Sequence, residues 1–103
     1  MEVERRQTEE AILLTVRGDV DLQSSPRVRK AILEAVPKAG VEVAVDLSGV
    51  GYMDSSGVAT LVEGLRSARE HDKRFRIVDP SQAVRKVLEL ARLDSVFEVS
   101  GSS

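Results

Sequence analysis

The run Val43-Ala-Val-Asp-Leu-Ser-Gly-Val-Gly-Tyr-Met-Asp-Ser-Ser-Gly-Val-Ala-Thr-Leu-Val62 constrains the fold more than any other stretch. Val43 to Leu47 is apolar and rich in β-branched residues, the pattern of a buried strand. Gly49 and Gly51 interrupt that pattern and supply turn freedom. A helical period then sets in, with Val58, Leu61, Val62, Leu65 and Ala68 on one face. The helix therefore starts near Ser55 or Ser56 and is capped by a polar side chain. Two serines sit at the mouth of a helix, just past the end of a strand. In open α/β sheets that is where binding sites collect.

The flanking sequence extends this unit in both directions. Met1 to Thr8 reads as an edge strand, with Val3 its only large apolar residue after the initiator. Thr8-Glu9-Glu10 is a polar turn and Ala11 to Val16 a strand. So short a turn pairs the two strands as an antiparallel hairpin. Ser24-Ser25-Pro26 opens a helix whose apolar positions are Val28, Ala31, Ile32, Ala35 and Val36. Pro37 lies just past that pattern, and Lys38-Ala-Gly40 closes the element. A strand over Val41–Leu47 leads into the central motif, whose helix runs to about His71. Phe75–Val78 is a short strand, and Asp79-Pro-Ser81 caps a last helix with Val84, Val87, Leu88 and Ala91 inward. A loop and a final short strand occupy Leu93–Val99. The order ββαβαβαβ implies a single α/β domain: a mixed, mostly parallel sheet with an N-terminal hairpin and three helices. Residues 1–99 form that domain, and Ser100–Ser103, small and polar, reads as a disordered tail.

Composition excludes several function classes. At 103 residues the chain holds a real core without disulfides or metals, and with no Cys it has neither a disulfide framework nor a thiolate metal site. The net charge of −2 argues against a nucleic-acid-binding surface, which would be basic. No apolar run approaches the ~20 residues of a membrane span. Met1-Glu-Val-Glu-Arg-Arg lacks the apolar core of a secretory signal, so the expectation is a soluble cytoplasmic protein.

The candidate chemistry centres on Ser55 and Ser56. Capping alone accounts for serines at a helix start, and spacing by itself favours that reading. The functional alternative is phosphorylation: a hydroxyl there is reachable by a kinase, and phosphate would meet the positive end of the helix dipole. It would also land beside Asp54 and near Asp19 and Asp21. Asp46, near a strand end, could instead accept a phosphoryl group, with Asp19 and Asp21 as metal ligands. Ordinary turn chemistry is favoured for all three. His71 stands alone among charges, and no second His or any Cys completes a triad with Ser55. Gly49-x-Gly51 lacks the third glycine and the lysine of a phosphate loop. Arg85 and Lys86 could meet an acidic partner, and the helix positions Thr60, Glu63, Gly64 and Ser67 are candidates for a partner surface.

Asp54-Ser-Ser-Gly57, following Val45-Asp-Leu-Ser48 and Tyr52-Met53, resembles the signature of the STAS domain, a family that includes bacterial anti-sigma factor antagonists. Gly18-Asp-Val-Asp21 resembles the family's turn after its second strand, with Val20 in place of Leu. Pro80-Ser-Gln-Ala-Val-Arg-Lys-Val-Leu88 resembles the opening of the family's third helix. The resemblance implies a binding module, not an enzyme, that needs no cofactor, metal or small-molecule substrate. Its partners would be an anti-sigma factor serine kinase and a phosphatase. Ser55 would be the phosphorylated residue, and Asp19, Asp21, Asp54, Ser56, Gly57, Thr60 and Glu63 would share the partner surface. Ser56-Gly-Val-Ala-Thr-Leu-Val-Glu-Gly64 and Val87-Leu-Glu-Leu-Ala-Arg-Leu-Asp94 are similar to a second branch, the cytoplasmic STAS subunits of phospholipid-trafficking ABC transporters. That branch implies an ABC ATPase subunit as partner instead.

Overall fold

Alternating apolar residues on three neighbouring strands build the core. In the computed structural model, which describes residues 1–101, the strands are β1 (Glu2–Gln7), β2 (Ala11–Arg17), β3 (Glu42–Gly49), β4 (Arg74–Val78) and β5 (Glu98–Ser100). The helices are α1 (Ser25–Lys38), α2 (Ser55–Glu70) and α3 (Gln82–Leu90), in the order ββαβαβαβ. The strands lie in one sheet in chain order, β1-β2-β3-β4-β5. Only β1 runs antiparallel; β2 to β5 pair in parallel. A sheet wound in chain order with right-handed crossovers brings each helix back over the same face. Ile12, Leu14 and Val16 of β2, Val43, Val45 and Leu47 of β3, and Phe75 and Ile77 of β4 are buried beneath those helices. The helices contribute Val28, Ile32 and Val36 from α1, Leu61 from α2, and Val84 and Leu88 from α3.

The opposite face is held by charge rather than by a second layer. Register places Glu42 beside Arg74, and Ala44 beside Arg76 and Leu13. Arg76 pairs with Glu42 at 2.9 Å, and Arg74 pairs with both Glu42 and Glu98. The Arg76 hydrogen bond holds the Glu42 carboxyl below its ordinary value, against the opposing effect of burial. These pairs clamp the parallel ladder β3-β4-β5 on its solvent side.

The structure departs from the sequence reading at several element ends. Pro37 lies inside α1, in its last turn, rather than just past the helix. It is exposed there and removes one amide donor a residue before the helix ends, while the Ala39 N–H still bonds the Ala35 carbonyl at 2.9 Å. Strand β3 continues to Gly49, because a register shift between Thr15 and Arg17 lets Gly49 pair with Arg17. Ala91 is exposed, since α3 ends at Leu90 and the chain turns away. Ser100 belongs to β5, not to a tail. Its carbonyl accepts the Asp79 N–H at 2.8 Å, and its hydroxyl accepts from the Arg76 guanidinium. The remainder of the expected disordered tail, Ser102 and Ser103, lies outside the described residues. No helix among those residues is long and apolar enough to cross a membrane.

Candidate functional site

Two loops at the C-terminal edge of the parallel strands form the site, and one isolated pair of residues ties them together. After β2, Gly18 adopts φ +103°, a conformation that disfavours side-chain-bearing residues, and turns the chain. Val20, fully buried, then pairs in parallel with Met53. The Val20 N–H donates to the Tyr52 carbonyl at 2.9 Å, and the Val20 carbonyl accepts the Asp54 N–H at 3.1 Å. The β2–α1 loop is thereby stitched to the β3–α2 loop, and its acids are carried to the start of α2. Asp19 lies against Gly51, its Oδ1 3.6 Å from where a Cβ would stand. Asp21 closes its own turn, with Oδ1 accepting the Gln23 and Ser24 N–H groups at 3.0 Å each.

Asp54 is the N-cap of α2. Its Oδ1 accepts from the Ser56 N–H at 2.9 Å, the Gly57 N–H at 3.3 Å and the Ser56 hydroxyl at 2.5 Å. The Ser56 hydroxyl is the largest influence on the Asp54 carboxyl, which sits below its ordinary value; the amides of Gly57, Ser56 and Leu22 act in the same direction. The two serines are thus separated by their surroundings. Ser56 is half-buried and bound to Asp54. Ser55 occupies the first helical position, is exposed, and among the described residues its hydroxyl has no hydrogen-bond partner. Among the described residues no general base stands on Ser55 to activate it as a nucleophile.

The structure thus gathers Asp19, Asp21, Asp54, Ser55 and Ser56 on one edge. It does not bring Gly57, Thr60 and Gly64 to that surface, which corrects the sequence reading. Gly57 is buried, and a Cβ there would stand 2.6 Å from Met53 Cγ. Thr60 is only 6% exposed. At Gly64 a Cβ would lie 2.8 Å from Ile32 Cγ2 and 3.0 Å from the Phe75 ring. Met53 and Val20 of the joined loops cover Gly57, and α1 together with β4 covers Gly64, while Val62 and Leu65, expected inside, remain half-exposed. Glu63 is half-buried and ion-paired with Arg29 of α1, further along the helix. Ser67 is half-buried, and its carbonyl lies 2.8 Å from His71 Nδ1.

Asp46 is not at the site. It accepts from the Ser48 N–H and hydroxyl at 2.9 and 2.8 Å, within β3, which continues past it. Among the described residues no group of three or more His, Cys, Asp or Glu could hold a metal ion. Arg85 donates to the Pro80 carbonyl at 3.2 Å, and Lys86 is exposed on α3. Two large apolar side chains missing from the sequence-derived site, Leu22 and Tyr52, stand exposed on the stitched loops. Leu22 lay outside every periodic pattern. Tyr52 entered only as part of a motif, because no rule of spacing marks an apolar residue as exposed.

A family profile described as "Mlab, STAS domain" matches residues 3–98. The chain belongs to the STAS domain family. Among curated proteins this STAS domain is similar to the anti-sigma-B factor antagonist of Listeria monocytogenes, at 27% identity over 99 residues, 96% of this chain and 86% of that protein. It is also similar to the Bacillus subtilis anti-sigma-B factor antagonist, at 22% identity over 101 residues, 98% of this chain and 92% of that one. Among solved structures it superposes on the unphosphorylated anti-sigma factor antagonist SpoIIAA with a TM-score of 0.82, at 22% identity, covering 99% of this chain and 89% of the other. The phosphorylated form of Bacillus SpoIIAA gives 0.76 at 21% identity, over 99% and 92% of the two chains. At these identities the structural likeness speaks for the STAS fold.

Proposed function

We propose that this STAS domain is a cytoplasmic anti-sigma factor antagonist that works by partner switching at Ser55. Unphosphorylated, it binds the anti-sigma factor and frees the sigma factor. A serine kinase then transfers the γ-phosphoryl group of ATP to Ser55 Oγ: the new O–P bond forms, the hydroxyl proton leaves to the kinase, and ADP departs. The phosphate brings about −1.5 to −2 charge. The helix dipole tolerates it, so the domain stays folded, but Asp19, Asp21 and Asp54 already make this edge acidic. An approaching partner matched to that edge meets an added like charge and lets go. Hydrolysis by a phosphatase restores the hydroxyl. Throughout, the domain is a substrate and a binding module with no catalysis of its own.

The observation that carries this reading is the contrast within Ser55-Ser56: one hydroxyl is exposed and unbonded, and its neighbour is locked on Asp54. The names of the curated relatives favour the same role. The profile description "Mlab" favours a second reading, a STAS subunit that binds and supports the ATPase of a phospholipid-transport ABC complex. The experiment is phosphorylation by the anti-sigma serine kinases encoded in the same genome, with ATP and site mapping by mass spectrometry. Label on Ser55 that disappears in Ser55→Ala and persists in Ser56→Ala is expected. No label on the wild type, with stable binding to an ABC ATPase subunit instead, would establish the second reading in its place.

A further inference from the structure

Most large apolar side chains of this chain are covered, yet Leu22 is 75% and Tyr52 52% exposed. They stand on the two loops that the Val20–Met53 pairing joins, one on each side of that pairing in sequence. The Asp54 N–H donates to the carbonyl of Val20, two residues before Leu22, so Leu22 lies near the start of α2. Other exposed apolar residues are placed differently. Val41 precedes β3 and Leu90 ends α3, so both lie at the opposite, N-terminal edge of the sheet.

We infer that Leu22 and Tyr52 are the apolar anchors of the partner interface, seated on the two joined loops that lead to Ser55, and that their partner presents an apolar socket rimmed by Lys and Arg. This deepens, and rests on, the antagonist reading of the same edge. Three features argue for it. Water-exposed Leu and Tyr side chains gain by burial, and Tyr is among the residue types that dominate interface energetics. Their loops are pinned by backbone hydrogen bonds, so docking costs little ordering entropy. The surrounding charge is acidic, from Asp19, Asp21 and Asp54, and its complement is a basic rim. Arg27, which lines the same hollow as Asp19 and Asp21, is turned to the Met1 carbonyl at 3.4 Å. Phosphate on Ser55 would then fall on the same edge as these contacts. That placement lets one modification disrupt apolar and ionic contacts together.

Tyr52 is the only tyrosine of the chain and there is no tryptophan, so 3-fluorotyrosine places a single fluorine reporter at the proposed anchor. The labelled, unphosphorylated protein is titrated with the anti-sigma serine kinases of the same genome, followed by fluorine NMR and calorimetry. Expected are a shift and broadening of the Tyr52 resonance and affinity losses of about tenfold or more for Tyr52→Ala and for Leu22→Ala. Tyr52→Phe and the opposite-edge variant Leu90→Ala should stay within about twofold of wild type, and all four variants should melt like wild type. Wild-type binding with Tyr52→Ala and Leu22→Ala unimpaired overturns the anchors and leaves the antagonist reading standing. An equal loss in Leu90→Ala also overturns the placement. No binding by wild type to any of these kinases overturns the antagonist reading, and the anchors with it.

Discussion

Helices α2 and α3 begin alike, just past the C-terminal end of a parallel strand and with a capping side chain, but they use their serines differently. At α3 the cap is Ser81 itself. Its hydroxyl accepts the Val84 N–H at 3.2 Å and donates to the Val50 carbonyl at 2.6 Å, so both its donor and an acceptor site are occupied. At α2 an aspartate takes over the capping. Asp54 satisfies the Ser56 and Gly57 amides and also holds the Ser56 hydroxyl, which leaves Ser55 with nothing to do for the fold. A helix start capped by its own serine is a structural joint. A helix start capped by a preceding carboxylate can carry a spare hydroxyl, and only the second kind is available for modification. The difference also explains the local charge. The residue that frees Ser55 is itself an acid, so the proposed phosphate would arrive where repulsion is already in place.

Substitutions at the two starts sharpen this contrast. The largest effect on stability is expected for Ser81→Ala, about 2 kcal/mol in chemical denaturation, since it removes both a helix cap and the partner of the Val50 carbonyl. Partner binding should fall by less than for Tyr52→Ala, because Ser81 meets the β3–α2 loop only at the Val50 carbonyl. Next comes the pair Asp54→Ala and Ser55→Ala. Asp54→Ala should lower Tm at neutral pH through loss of the cap. The carboxyl of Asp54 is lowered chiefly by the Ser56 hydroxyl, from an ordinary value of 3.8. A depressed carboxyl stabilises fully above that ordinary value and loses its contribution as pH falls through the folded-state value. The gap in Tm between wild type and Asp54→Ala should therefore be full at pH 6 and close progressively below pH 3.8. Ser55→Ala should leave Tm unchanged across that range. A Ser55→Ala loss as large as that of Asp54→Ala would mean that Ser55 belongs to the fold, and the contrast between the two helix starts would fail.

Local chemistry made much of this molecule legible in its sequence, and contacts between elements decided the remainder. Strands with two-residue alternation or continuous apolar runs, such as Ala11–Val16 and Val43–Leu47, declare themselves because burial of the pleat requires it. The start of α2 was readable for a similar reason: an acid followed by two serines and a helical period leaves few alternatives. What the period could not show was which side of α2 a neighbouring helix would cover. The apolar positions predicted Val62 and Leu65 inward, but Gly64 faces Ile32 of α1 and Phe75 of β4, Gly57 faces Met53 and Val20, and Thr60 is covered too, so three expected surface residues are buried. The pairing of Val20 with Met53 was equally hidden, because it joins residues far apart in the chain through backbone groups alone. With it went the juxtaposition of Leu22 with Asp54. Ser100, assigned to a polar tail, is held by Arg76 and Asp79 of another strand and its following loop, which no local pattern records.

The central claim of the proposed function is that phosphate on Ser55 switches the affinity for the partner from high to low. Calorimetric titration of the cognate anti-sigma kinase with the unphosphorylated domain and with the same domain phosphorylated on Ser55 measures this directly. Phosphorylation is expected to weaken binding about 100-fold or more, as like charge placed in an interface costs several kcal/mol, with the melting temperature preserved. Equal affinity of the two forms, each still folded, would contradict it.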